Sequence, residues 1–509
     1  MTSASARLIY AAAIGYLLMH TGIVSDDFAD IVQFQGKSFT EGLRPTGNFI
    51  NVPVGHFTHH IWFHYFHLDN LVVVDLFKIV FTLISFVLIS TFFRLFLGPN
   101  ASLLASFLFV FFPSHDAMPY AYAPSGHLLS IAVYLYAYCV AERDRLWLAF
   151  ALALVASFMV YGSTPIAVGL FVLCVLKGNL KKGMALIVPN VIYAIYFVYV
   201  TMIASIAPSR ILESVNVASV VKQFALQVIT FADATFGPSM WLKIYYSFFQ
   251  LSAVSLVVGA VLIGILVKAW NDEDQTPHPH LVICLLVVTI CSFAMFSVTG
   301  RYPQLAFNLG NRTTFWGSLL LAYLIVLIRG PRYVRIGGLA VIAFAILGIS
   351  DHWKAWSLKQ QAVIQRIATN QAIQDHRDGS EIFVSGNQYS KFGPISHIEF
   401  LSEDWVPGSI FALVVGEDIR ARTINRRFRY EGGYLVDRKY STRTRVDGHI
   451  NVYDSEKDRL LRVDADDIND HLDTLPEDKR HWAMFTDNRA VESIRELAVF
   501  LMPRLRNSL

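Results

Sequence analysis

The chain has 509 residues, 54% hydrophobic and 14% aromatic, with 16% charged and a formal net charge of +3. A soluble domain carries roughly 25% charged residues. This chain has too few to cover a water-facing surface, which excludes a water-soluble enzyme, a nucleic-acid-binding protein and a secreted disulfide scaffold. The shortage is local, because 48 of the 81 charged residues lie after position 350. Residues 1–350 therefore read as a polytopic membrane domain and 351–509 as a soluble α+β domain. Cys139, Cys174, Cys284 and Cys291 all lie in apolar runs and read as small core residues.

Apolar runs of spanning character occur at 7–25, 71–94, 100–113, 127–141, 146–161, 164–177, 183–206, 246–268, 280–299, 315–329 and 333–350. The expected fold is thus an all-α polytopic membrane bundle of about eleven spans with a C-terminal soluble α+β domain. The first run is long enough to span and lacks a small-residue cleavage site, so it reads as a span and not a signal peptide. Placing the N-terminus in the cytoplasm collects Arg94, Arg143, Arg145, Lys177, Lys181 and Lys182 in short inner loops. An odd number of spans then sets the C-terminal domain on the extracytoplasmic, periplasmic side of an inner membrane. Residues 215–231 show apolar positions at helical spacing and read as a helix lying on the membrane surface. In the last third, 353–373 reads as an amphipathic helix. The short apolar runs EIFVSG, HIEFL, SIFALVVG and HINVYD read as strands, and 490–502 as a closing helix.

Polar residues at the ends of the spans are the candidates for chemistry. Asp26 and Asp27 stand directly after the first span, where adjacent carboxylates are costly unless solvated, paired or used. They read either as a helix cap formed with Ser25 or as a general base. His115 and Asp116 end the third apolar run, and Asp116 is the sole acid of its loop. They could form an interfacial hydrogen bond or share acid, base or metal-holding roles with Asp26 and Asp27 at one aqueous rim. Arg301, Tyr302, Asn311 and Arg312 precede the tenth run. An Arg there can fork phosphate oxygens or simply snorkel to the interface. His56, His60 and His64 recur every four residues, a spacing that suits either a metal or a membrane-surface helix. Asp75 and Lys78 should neutralise each other.

In their order along the chain, these pieces resemble the glycosyltransferase C superfamily, membrane enzymes that take sugars from polyprenyl-phosphate carriers. Within it they are most similar to the protein O-mannosyltransferase-like branch. The counterparts are Asp26-Asp27, Arg44-Pro45, His67-Leu68-Asp69-Asn70 with Asp75, Pro113-Ser114-His115-Asp116, and Asn311-Arg312. Asp116 stands where the pattern has Glu and Asp75 where it has His, and no tetratricopeptide repeats follow. The resemblance implies an inverting hexosyl transfer at the outer face, with Asp26 or Asp27 as base and Asp116 as a further catalytic group. It also implies substrate contacts from Arg44, His67, His115, Arg301, Tyr302, Asn311 and Arg312. The implied partners are a polyprenyl-phosphate-linked sugar, a glycan, lipid or protein acceptor, and the bilayer, with no nucleic acid. No cofactor is certain. A divalent cation, Mg or Mn, is used by some members and not by others. The alternatives are a polymerase or ligase of lipid-linked glycans, or a transporter of lipid-linked sugars.

Overall fold

The computed structural model describes residues 3–35, 37–207, 216–269, 276–299, 302–376, 380–416, 418–485 and 489–501. The chain divides into two compact units. The first comprises residues 1–21, 37–306 and 310–352; the second comprises 22–36, 307–309 and 353–509.

In chain order the helices begin with α1 (Ser3–Leu18), α2 (Asp26–Phe34), α3 (Phe39–Gly42) and α4 (Pro53–Thr58). Next come α5 (Leu71–Phe93), α6 (Pro99–Phe111), α7 (Ala117–Tyr120), α8 (Tyr122–Glu142) and α9 (Leu146–Met159). Then follow α10 (Thr164–Leu176), α11 (Leu180–Val198), α12 (Val217–Thr235), α13 (Pro238–Phe248) and α14 (Ala253–Ala269). The membrane-type helices close with α15 (Pro279–Thr299), α16 (Phe315–Leu327) and α17 (Arg332–Thr369).

The first unit is a helical bundle. α5 packs on α8, α8 on α9, α9 on α11, α11 on α10 and α10 on α15, while α6 packs on both α5 and α16. α6 is buried on every side from Ser102 to Phe111, and α16 from Phe315 to Tyr323, as expected of short helices that are apolar all round. On α5 the outward residues are Val72, Leu76, Val80, Ile84 and Val87. Their helical spacing makes an apolar outer stripe, which suits hydrocarbon and not water.

Among the described residues, five helical stretches are long and apolar enough to cross a membrane: Leu68–Phe93, Leu180–Ile203, Val217–Phe248, Pro279–Thr299 and Arg332–Thr369. That is fewer than the eleven expected spans, although most of the apolar runs are helical. α1 stops at Leu18 and does not run to 25, and the run at 246–268 is broken between Phe248 and Ala253. Residues 215–231 fall largely in α12, which packs on α15 through Phe224 and Phe231 against Phe293. α17 is a single helix of 38 residues, so the span at 333–350 and the amphipathic helix at 353–373 are one element. No Pro stands between them, so nothing forces the helix to end there.

The second unit is α+β. After α17 come α18 (Gln371–Gln374), β1 (Ile382–Ser385), β2 (Tyr389–Phe392), β3 (Ile395–Glu399) and α19 (Trp405–Val414). They are followed by β4 (Ala421–Thr423), β5 (Phe428–Glu431), β6 (Tyr434–Asp437), β7 (Arg443–Arg445), β8 (His449–Asp454) and β9 (Arg459–Asp464). α20 (Ile468–Thr474) and α21 (Arg489–Leu501) close it. The main sheet has the order β4-β1-β8-β9. Its first three strands are parallel, and β9 is antiparallel to β8. β1 is buried along its whole length, as a central parallel strand should be. SIFALVVG, expected as a strand, lies largely in α19, the crossover that a parallel β1-to-β4 connection requires. Gly432 and Gly433, both at positive φ, close the two-residue β5–β6 hairpin, which needs that conformation at both positions. The core gathers Phe383, Ile424, Leu435, Ile450, Val452, Ile468 and Leu472.

Candidate active site

In the second unit the chain enters α2 through a strained turn, with Ser25 at φ +43°. The expected Ser25 cap does not form. Asp27, 1% exposed, closes the turn before the helix instead: its carboxylate accepts the Val24 N–H at 3.1 Å, and its own N–H donates to the Val24 carbonyl at 3.0 Å. Asp26 is exposed, and its carboxylate accepts a hydrogen bond from the Trp405 indole at 2.9 Å. No cation pairs with Asp26 among the described residues. One turn on, burial and then the charges of Asp26 and Asp27 hold the Asp30 carboxyl well above the usual carboxylate range.

Trp405 opens α19, which packs on α2, and its ring meets Tyr440 at 6.4 Å. The Tyr440 hydroxyl donates to Glu403 at 3.1 Å. Glu403 also takes Lys439 at 2.5 Å and Arg427 at 3.3 Å, and Arg427 pairs with Asp437 at 3.0 Å. Nearby Glu399 is pushed up to about 7, mainly by burial and then by Glu403, with Lys439 opposing. The exposed carboxylate of Asp26 is therefore backed by an indole and a satisfied charge network. Sequence reasoning missed Trp405, Tyr440, Glu403, Lys439 and Arg427. Their one legible sign was the acid pair Glu403-Asp404 set directly before a Trp.

In the first unit Pro113 ends α6, and a 3-10 turn carries His115 to Asp116. His115 is fully buried, its Nε2 2.7 Å from the Phe109 carbonyl and its Nδ1 2.9 Å from the Ser318 hydroxyl. Asp116 does not stand at a water-exposed rim. It is 1% exposed, its carboxylate accepting from the Lys243 ammonium at 2.6 Å and from the Asn311 amide. Asn311 turns its carbonyl oxygen to the Ala117 N–H at 3.1 Å, and Lys243 also donates to the Ala306 carbonyl. A carboxylate tied so completely is a clasp joining the α6–α7 corner, α13 and the loop before α16. Lys243, absent from the expected site, was legible as the lone basic residue of the apolar stretch 223–267.

Next to Asn311, Arg312 is half-buried and makes no ion pair among the described residues, so its guanidinium can meet an anion. Tyr302 accepts from the Gln227 amide through its backbone carbonyl and sets its ring against Phe296. Arg301 lies outside the described residues. Arg44 and His67 are exposed, and neither side chain has a hydrogen bond or ion pair among the described residues. Asp75 pairs with Lys78 at 2.9 Å as expected, and it also accepts the His20 N–H at 2.7 Å.

The histidine face breaks, because α4 ends at Thr58 and a 3-10 turn takes over at His60. His56 Nε2 lies 2.7 Å from the Gly42 carbonyl, and His59 stacks on Tyr122 with its Nε2 2.8 Å from that residue's carbonyl. Among the described residues no group of three or more His, Cys, Asp or Glu is arranged to hold a metal ion. Compared with known proteins, the chain matches no family model and no curated protein.

Proposed function

We propose that the protein is an integral-membrane glycosyltransferase that moves a hexose from a polyprenyl-phosphate carrier to an acceptor hydroxyl at the outer face of the membrane. The observation that carries this reading is Asp26. It is an exposed carboxylate just past the first apolar helix, held by the Trp405 indole and left without a cation among the described residues. A carboxylate that accepts one neutral hydrogen bond keeps lone pairs free for an incoming hydroxyl proton. Asp27, tied to its own turn, is the positioning residue. In the reaction Asp26 takes the acceptor proton, the acceptor oxygen bonds to the anomeric carbon, and the bond from that carbon to the carrier phosphate breaks with inversion. The phosphate leaves as an anion and needs charge, not a proton. The resemblance assigns that charge to Arg312, which makes no ion pair among the described residues.

The test is transfer from radiolabelled polyprenyl-phosphate hexose in a membrane extract. Asp26→Asn is expected to lose about 10²–10⁴-fold in transfer, and Arg312→Lys to lose less. Full transfer by Asp26→Asn overturns the base assignment. A lipid-linked-sugar transporter is the second reading, favoured by the two buried ion pairs Asp75–Lys78 and Asp116–Lys243. Movement of the phosphosugar across vesicles without cleavage would select it.

A further inference from the structure

Residues 420–445 hold nine of the 23 basic residues found after position 350, eight of them Arg, and only two acids, Glu431 and Asp437. The rest of 351–509 has 14 bases against 23 acids. With Glu399 and Asp478 protonated, both carboxyls lying near 7, that remainder still keeps 21 acids. Positive charge is thus gathered on one part of an otherwise acidic unit, the β5-β6-β7 sheet and its flanks.

Register decides which way these side chains point. Phe428 pairs with Asp437, and Tyr430 with Leu435, and on this face Phe428 and Leu435 enter the core. The alternate positions form the other face in two cross-strand rows, Arg429–Val436–Arg443 and Glu431–Tyr434–Arg445. Neighbours within a row stand about 5 Å apart at Cβ. Arg443 is exposed, as is Arg438 in the turn after β6, and neither makes an ion pair among the described residues. Arg445 pairs with Asp447 at 3.0 Å, but the two side chains are 74% and 79% exposed, so water and a ligand can compete for that guanidinium. Arg429 is held more firmly, by Asp473 at 2.9 Å.

A guanidinium forks two oxygens of a carboxylate or phosphate, which an ammonium cannot do, so eight Arg to one Lys suits recognition of discrete oxyanions. Tyr434, 41% exposed, stands between Glu431 and Arg445. An amphipathic ring is there flanked by a hydrogen-bond acceptor on one side and a cation on the other. A sugar ring that carries an acid group matches all three: its C–H face lies on the ring, a hydroxyl donates to Glu431, and its anion meets Arg445 and Arg443. A lipid surface matches them less well. None of the six outward positions is Leu, Ile, Phe or Trp, so little here would enter the boundary of headgroups and acyl chains. Anionic headgroups would also repel Glu431.

We propose that the outer face of the β5-β6-β7 sheet binds a glycan bearing carboxylate or phosphate groups. Calling that glycan the acceptor rests on the transferase reading; the binding itself does not. The full-length protein in phosphatidylcholine nanodiscs is titrated with labelled oligogalacturonate, a phosphorylated mannan oligosaccharide and a neutral dextran oligosaccharide of equal length, followed by fluorescence anisotropy. At least one of the two anionic glycans is expected to saturate, more tightly than dextran and more weakly as salt rises. Arg443→Gln with Arg445→Gln should weaken that binding about tenfold or more, and Tyr434→Ala should weaken it a few-fold. Arg459→Gln, exposed on β9 in the other sheet, should bind as the wild type does. The proposal fails if neither anionic glycan saturates, if dextran or inorganic polyphosphate binds as tightly, or if the double Arg variant loses nothing. It also fails if phosphatidylglycerol vesicles bind through these arginines and the oligosaccharides do not, which would make the face a membrane contact. Asp26→Asn should bind the glycan as the wild type does, so a failed transfer assay and a failed binding assay remain separate results.

Discussion

At the scale of the residue, the buried ammonium of Lys243 and carboxylate of Asp116 are each the other's reason to stay charged. Removing one partner leaves the other buried and uncompensated, which costs about 3–5 kcal/mol. Lys243→Met should therefore lower the melting temperature sharply, and Lys243→Met with Asp116→Asn should recover much of the loss. If the double variant melts no higher than the single, the pair is not what holds this corner. The acids at 26, 27 and 116 were all visible in the sequence, but their roles were not. Local chemistry marks a carboxylate as expensive beside a bilayer. Whether the expense is met by a turn N–H, an indole or a lysine depends on partners 3, 379 and 127 residues away.

At the scale of the element, α17 shows two glycines used in opposite ways. A Cβ on Gly338 would meet nothing within 4 Å, whereas one on Gly348 would fall 2.0 Å from the Ser247 carbonyl oxygen. Gly348 lets α17 and α13 approach backbone to backbone. Gly338→Ala should thus stabilise by about 0.5–1 kcal/mol through helix propensity alone. Gly348→Ala should destabilise instead, because backbone cannot yield as a side chain can. Thermal unfolding of the two variants gives shifts of opposite sign, and equal shifts would refute the close contact. Helices were legible here because apolar runs persist over many residues. The strand expectation at SIFALVVG failed because a short apolar run carries no period that separates a buried strand from a buried helix.

At the scale of the molecule, acids lifted toward neutrality make the second unit sensitive to pH. Burial, opposed by Lys391 and Arg427, pushes Asp478 up to about 7 from 3.8, and Glu399 rises to about 7 from 4.5. Both bind a proton more tightly folded than unfolded. Their contribution to stability is full below pH about 4 and is lost as pH rises toward 7. Melting followed by tryptophan fluorescence should be higher at pH 5 than at pH 8, and Glu399→Gln should flatten the difference. An unchanged slope in that variant would mean that Glu399 is not a source of it. The shortage of charge before position 350 announced a membrane-type unit, but no pattern in one sequence tells that residues 22–36 and 307–309 belong with the later unit.

That interleaving has a consequence for biogenesis. Phe28, Ile31 and Phe34 of α2 are buried in the finished protein, yet Phe400 and α19, which cover that helix, follow position 353. At ribosomal speeds of about 5–20 residues per second, roughly 20–70 s separate the emergence of the helix from that of its cover. A nascent chain stalled or cut after residue 351 would carry α2 naked. Loss of activity in such a fragment would therefore report an unsupported Asp26 as much as a missing domain.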